Sequence, residues 1–253
     1  MLYWVRVFAV VVFLAAPLRA LGSPLALGRF EYRLAWNGIP AASASIDVRR
    51  DGASTTALYH VAAEARTAVL VDLLWSLRAE ATSSFTADRL IPLGFRYDRE
   101  INHERSVTDV IFDPAAAQVT GRRWRHGEID FLDPHDPGLL DPITAIFRAL
   151  DEPVRAGDTS QYEVFTGEAR YRVSLTVLGE DEVSVRAGSF PAWRVEPRVW
   201  KVGSGLDRRL QDATIWVTRA TPRTLLRIQS AVFIGTVTCD LQRFELSAPE
   251  HAA

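Results

Sequence analysis

The feature that most constrains this chain is a two-residue alternation of apolar and polar side chains, repeated along most of its length. Phe30-Glu31-Tyr32-Arg33-Leu34-Ala35-Trp36 is the first instance. Successive side chains of a strand point to opposite faces, so such a segment buries one face and wets the other. Asn37-Gly38 then supplies a hairpin turn. Ala42, Ala44, Ile46 and Val48 share the next apolar face, and Asp51-Gly52 turns the chain again into 58–65 (LYHVAAEA). Three strands joined by short turns predict an antiparallel meander. The pattern resumes over 78–86, 94–101, 108–112 and 118–124. In the second half it returns over 162–165, 170–178, 182–185, 190–202, 213–218, 224–228 and 232–245, with Gly179 and Gly188 read as turns. Together these segments predict roughly twelve to fourteen strands.

Two segments break the alternation. Over 67–77, Ala68, Leu70, Val71, Leu74 and Leu77 have helical spacing, which predicts a short helix packed on the sheet. After the Asp-Pro turns of 133–142, Asp141-Pro142 signals a helix start, with Ile143, Ile146, Phe147 and Leu150 on one face. Strands with one apolar face need cover, from a second sheet or from the sheet's own curl. Periodicity alone leaves both open, and the two helices favour the curl. The expected fold is mainly β: a single large curled antiparallel sheet, half-open and barrel-like, with two short helices packed on its concave face.

The first 22 residues differ from the rest. Arg6 precedes an unbroken apolar run over 7–16 (VFAVVVFLAA), then Pro17, Arg19 and small residues. This is the layout of a secretory leader, and the run is shorter than the roughly 20 apolar residues a span needs. An uncleaved N-terminal anchor is the alternative. Residues 1–22 are therefore read as a signal peptide and 23–253 as a single exported β domain, with a periplasmic location and no stable membrane span after cleavage. Composition narrows the class. Lys and Arg number 29 against 31 Asp and Glu, a balance without the footprint of a nucleic-acid binder. One cysteine, Cys239, excludes a disulfide scaffold.

Candidate catalytic groups are scattered. His126, Glu128, Asp130, Asp133, His135 and Asp136 are the densest ligand-type set, but their spacing matches no metal signature and Asp is favoured by turn geometry alone. His103, Glu104 and Asp109 read as an exposed charged hairpin. Ser204, between Gly203 and Gly205, lacks the frame of a nucleophile elbow, and Cys239 sits in a strand pattern as a small packed residue. No catalytic residue, metal or cofactor is assigned, and a metal-dependent hydrolase is the enzymatic alternative. The aromatics are more informative. Leu70, Leu74, Trp75, Phe147, Trp193 and Trp216 are the candidate ligand-binding residues, since large apolar side chains lining a concave sheet suit an apolar ligand; a filled core is the plainer reading. Arg122, Trp124 and their arginine neighbours Arg123 and Arg125 form a basic-aromatic patch suited to anionic lipid headgroups or polyanionic glycans, or else a solvated, charge-blunted strand edge.

Several stretches occur together in an order that resembles a known family. They are Phe30-x-Tyr32-x-Leu34-x-Trp36-x-Gly38-Ile39-Pro40-Ala41, Leu74-Trp75-Ser76-Leu77-Arg78, Leu90-Ile91-Pro92, Asp141-Pro142 through Arg148, Gly188 through Val195, and 215–218 through 234–237. Over about residues 28 to 245 the chain resembles the exported bacterial domain of unknown function numbered 3108. Ala42 stands where that family's first hairpin usually has a second glycine. The resemblance implies a periplasmic, mostly antiparallel β protein and supplies no catalytic residues. The function expected is a non-catalytic binder or carrier of an amphiphilic envelope ligand: a lipid, an acyl chain or a lipidated peptide. The alternative is an interaction factor in envelope assembly, with an envelope protein as partner and no small-molecule ligand.

Overall fold

The computed structural model describes residues 25–52, 57–132, 138–152, 154–203, 205–206, 213–232 and 235–247. The expected leader, Asp133, His135, Asp136 and Ser204 lie outside these residues. The described chain forms β1 (Gly28–Trp36), β2 (Ile39–Asp51), β3 (Leu58–Thr67), α1 (Val69–Asp72), β4 (Leu77–Thr86), β5 (Pro92–Ile101), β6 (Glu104–Asp113), β7 (Gln118–Arg125) and β8 (Glu128–Leu132). It continues through α2 (Pro142–Asp151), β9 (Thr159–Phe165), β10 (Arg170–Val185), β11 (Gly188–Lys201), β12 (Gly205–Leu206), β13 (Ala213–Thr218), β14 (Leu225–Ala231) and β15 (Thr236–Leu246).

All strands belong to one antiparallel sheet, ordered β8-β7-β6-β5-β4-β3-β2-β1-β15-β14-β13-β11-β10-β9, with short β12 paired to β11. The order describes two meanders, β1–β8 and β9–β15, joined where the first and last strands pair. β8 and β9 are the two ends of the path, so the sheet curls without closing its hydrogen-bonded ladder. The sequence alternation lands on the expected faces. Register places Phe30 beside Ile46, Ile46 beside Ala63 and Ala63 beside Ala81, all on the inner face. Alanines (Ala42, Ala63, Ala65, Ala79, Ala81) recur among the inner side chains of β2–β4, and small side chains let the sheet curl closely there. Larger residues, including Phe30, Tyr59, Phe85, Phe95 and Leu241, fill the remaining core.

The two meanders are bridged by side chains and by α2, which contacts β4 and β9. Just before the helix, Leu140 makes a parallel bridge to Val164 of β9. The β9–β10 turn reaches across to the opposite meander, where Glu168 pairs with Arg99 of β5 at 2.5 Å. Gly167 in that turn has φ +76°, and a Cβ there would lie 2.1 Å from Thr108 Cγ2 of β6. Only glycine allows both the left-handed backbone and this approach.

Two features differ from the sequence reading. Gly179 does not turn the chain: β10 runs unbroken for 16 residues, and the register shifts between Val177 and Gly179 against β11. A glycine inside a strand marks a bulge as readily as a turn. The helical spacing of 67–77 yields only a four-residue α1 at the rim of the sheet, and none of its residues is buried. Of the two helices, α2 is the one that fills the concave face.

Candidate functional site

α2 and its anchors account for the interior. Asp141 caps the helix, accepting hydrogen bonds from the Ile143 and Thr144 amides at 2.9 and 3.0 Å. Its second oxygen accepts from Ser83 Oγ of β4 at 3.1 Å and from Thr144 Oγ1. Full burial pushes this carboxyl up to about 6, against the downward pull of the four hydrogen bonds. At the other end, the largely buried Arg223 donates to the Glu152 carbonyl at 2.9 Å. Phe147 is fully buried and packs in a tilted pair on Phe85, with ring centroids 5.3 Å apart, and Phe85 meets Tyr59 at 5.6 Å. The candidate ligand residue Phe147 is thus part of the packed core.

The other five candidates do not converge on it. Opposite residues of an antiparallel pair share a face. Trp193 faces Val217, whereas Trp216 faces Arg194, so the two tryptophans lie on opposite sides of the sheet. Trp193 packs at the inner side under the Arg219 guanidinium, 5.2 Å from its ring. Trp216 donates its Nε1–H to Asp181 on the outer side at 2.9 Å. Trp75 is half-buried and packs against the core beside Val71. Leu70 and Leu74 are 78% and 82% exposed, and their neighbours Val69 and Leu73 are 80% and 79% exposed.

Those four residues form an apolar knuckle whose backbone is fixed. The Asp72 carboxylate accepts from Thr67 Oγ1 and from Arg78, whose Nη2 lies 2.5 Å away. Arg78 and Thr67 together hold Asp72 down at about 2. Thr67 Oγ1 also accepts from the Leu77 amide at 2.9 Å. The Trp75 amide donates to the Val71 carbonyl at 2.8 Å. Ser76 and Asn102, in the β5–β6 turn, exchange two hydrogen bonds of 2.9 and 3.0 Å. Val71 and Trp75 point inward and pin the turn to the core, which leaves Val69, Leu70, Leu73 and Leu74 outward. A large apolar side chain that remains in water when its backbone is this well fixed is a feature to explain. The signal in the sequence was the run itself: a single turn between two strands has room to bury only one of its faces.

Several of the polar candidates lie in turns or ion pairs. His103 and His126 occupy left-handed positions in two-residue hairpin turns, and His103 is exposed. Asp109 is held by Arg96 through two hydrogen bonds of 2.8 and 3.0 Å. Asp130 is held by Arg123 at 2.5 Å. Among the described residues, no three His, Cys, Asp or Glu side chains are placed to share a metal ion. Cys239 is buried on the inner face and burial pushes its thiol well up, so the thiolate of a nucleophile is disfavoured there. The outer side of β1–β7 holds an open trough of about 1160 Å³ with a mixed polar and apolar lining. Thr82, Ser84 and Gly94 floor it, with the Arg29–Asp47 and Arg96–Asp109 ion pairs on its flanks. Arg122 and Trp124 of the basic-aromatic patch line its β7 side. Among the described residues, no helix is long and apolar enough to cross a membrane.

Comparison with known proteins places this architecture. No curated protein matches significantly. A Brucella abortus protein described as β-barrel-like, of the domain of unknown function DUF1849, superposes with a TM-score of 0.57 at 12% identity. The match covers 89% of this chain and 99% of that one. At this identity the likeness shows the fold alone. A Bacteroides fragilis protein described as exported, with a YmcC-like fold, gives a TM-score of 0.40 at 8% identity over 91% of this chain and 99% of its own. A Parabacteroides distasonis chain described as a lipoprotein gives 0.33 at 10% over 88% and 97%. The model of one family, "Protein of unknown function (DUF3108)", matches residues 31–242. That span takes in both meanders, both helices and the knuckle, and the chain belongs to the DUF3108 family.

Proposed function

We propose that this protein is a non-catalytic binder of an amphiphilic ligand in the cell envelope, and that it meets the ligand's acyl portion at the α1 knuckle rather than inside the sheet. The observation that carries the reading is the outward set Val69, Leu70, Leu73 and Leu74, each about four-fifths exposed on a fixed turn. Each such side chain gains roughly 1.5–3 kcal/mol when an apolar partner covers it. The packed interior supports the same choice, because Phe147 and Phe85 occupy the space a deeply held chain would need. The envelope location rests on the leader-like residues 1–22.

The test is native mass spectrometry with monomeric lysophosphatidylcholine, a zwitterionic single-chain amphiphile. The protein is secreted through its own leader and purified without detergent. A one-to-one adduct that disappears in Leu70→Ser/Leu74→Ser is the expected result. Absence of any adduct, or an adduct that survives the double substitution, contradicts the reading.

A further inference from the structure

The knuckle stands at one end of an ordered pattern of charge on the outer face. Register rows across β1–β5 can be followed residue by residue. The row nearest α1 reads Arg33, Ser43, Arg66, Arg78 and Glu100. The next row, two residues further along each strand, reads Glu31, Ser45, Glu64, Glu80 and Asp98. Arg33 and Arg66 are exposed and make no ion pair with a described residue, whereas Arg78 is committed to Asp72. Two residues of strand rise about 7 Å. The surface therefore passes from exposed leucines to arginines to carboxylates over the thickness of a lipid headgroup layer.

We infer that the knuckle, with Arg33 and Arg66 of the row behind it, forms a docking surface for an anionic phospholipid bilayer. This rests on the reading of the knuckle given above and names what the knuckle meets. The occupant follows from the charge order. An apolar side of a soluble partner would be matched by leucines alone, and a second copy of this chain would set arginine row against arginine row. A bilayer with anionic headgroups offers acyl chains to Val69, Leu70, Leu73 and Leu74 and phosphates to the arginines immediately behind them. The Glu64–Glu80 pair of the next row is repelled by the same surface, whereas Glu31 and Asp98 beside it are paired with Arg243 and Arg105. The Glu64–Glu80 pair limits penetration to the knuckle and stands the strands upright on the membrane. Asp72, Glu100 and Asp240 are acids within the basic zone, Asp240 lying directly across from Arg33; Asp72 is paired with Arg78 and Asp240 with Arg227.

Flotation with vesicles tests the surface. The secreted protein is expected to float with equimolar phosphatidylglycerol and phosphatidylcholine, and to release as salt is raised. Leu70→Ser/Leu74→Ser should weaken binding roughly 100-fold. Arg33→Gln/Arg66→Gln should weaken it roughly 30-fold, while leaving the lysophosphatidylcholine adduct intact. Glu64→Gln/Glu80→Gln should bind as tightly as the unsubstituted protein or more so. All three variants change exposed side chains, and unaltered thermal unfolding confirms that each is folded. Equal binding to pure phosphatidylcholine vesicles, or no effect of the arginine pair, overturns the inference while the amphiphile reading stands. Sedimentation showing a dimer that Leu70→Ser/Leu74→Ser dissociates overturns it in favour of a second copy. Loss of the lysophosphatidylcholine adduct in the unsubstituted protein is a failure of the underlying reading instead.

Discussion

The two helices of this protein make opposite uses of similar sequence. Both carry leucine or isoleucine at helical spacing, and both lie between strands. α2 has ten residues, a capping Asp141, and five buried positions that include Phe147. α1 has four residues, no side-chain cap from Ala68, and none buried. Length decides the difference. Three turns can present a whole face to a concave sheet, whereas one turn can anchor only by Val71 and the neighbouring Trp75. The remaining apolar side chains of α1 are left in water. One helix completes the fold and the other displays a surface.

Substitutions should separate these roles, and the largest effect belongs to the core helix. Phe147→Ala removes a fully buried ring and should cost about 3–5 kcal/mol, read as a lowered denaturation midpoint. A loss below about 1 kcal/mol would mean that α2 does not plug the sheet. Asp141 should add a pH signature. Its folded pKa, about 6, lies above the ordinary carboxylate value, so the native state holds the proton more tightly than the unfolded chain. Its contribution is full below about pH 4 and is lost as pH rises through 6. The expected swing is roughly 2–3 kcal/mol. In Asp141→Asn, where the amide can donate to Ser83 and Thr144, the decline between pH 4 and 6 should flatten relative to the unsubstituted protein. Parallel stability profiles for the two proteins would contradict the buried network.

Gly167→Ala tests the other means by which the two meanders meet. The methyl would collide with Thr108 and demand an unfavourable φ, for an expected loss of about 2 kcal/mol. A neutral result would show that the β9–β10 turn does not seat on β6. The smallest effect on stability belongs to α1. Leu74→Ser should change stability by less than about 0.5 kcal/mol while abolishing the acyl contact. Asp72→Asn sharpens the contrast differently. It should leave global unfolding nearly unchanged but speed amide exchange at Val71, Leu74 and Trp75, because the Arg78 and Thr67 bonds hold that turn.

The contrast also explains what the sequence could reveal. Residues 30–36 and 42–48 show their pairing face directly, because alternation and two-residue turns are local properties. The Asp141-Pro142 helix start was equally visible, and the cap is present. What was hidden depends on distant partners. Ser83 lies 58 residues from Asp141, so the buried network had no local signal. Trp193 and Trp216 fall on opposite faces because of a single register step, set by the pairing of β11 with β13 and invisible before it. Gly179 could equally have been a turn or a bulge. Leu70 and Leu74 were legible as apolar and helically spaced, but spacing identifies a face without saying what lies against it. The basic and acidic rows could not be read at all until strand register aligned Arg33 with Arg66 and Glu31 with Glu64.

Hydrogen–deuterium exchange, with and without lysophosphatidylcholine, is the most direct test of which helix meets the ligand. The expected result is new protection confined to residues 69–76 and the adjoining β5–β6 turn, with α2 unchanged. Protection of α2 and the inner strands around Phe147 and Phe85, with residues 69–76 unaffected, would place the ligand inside the sheet and contradict the role assigned to α1.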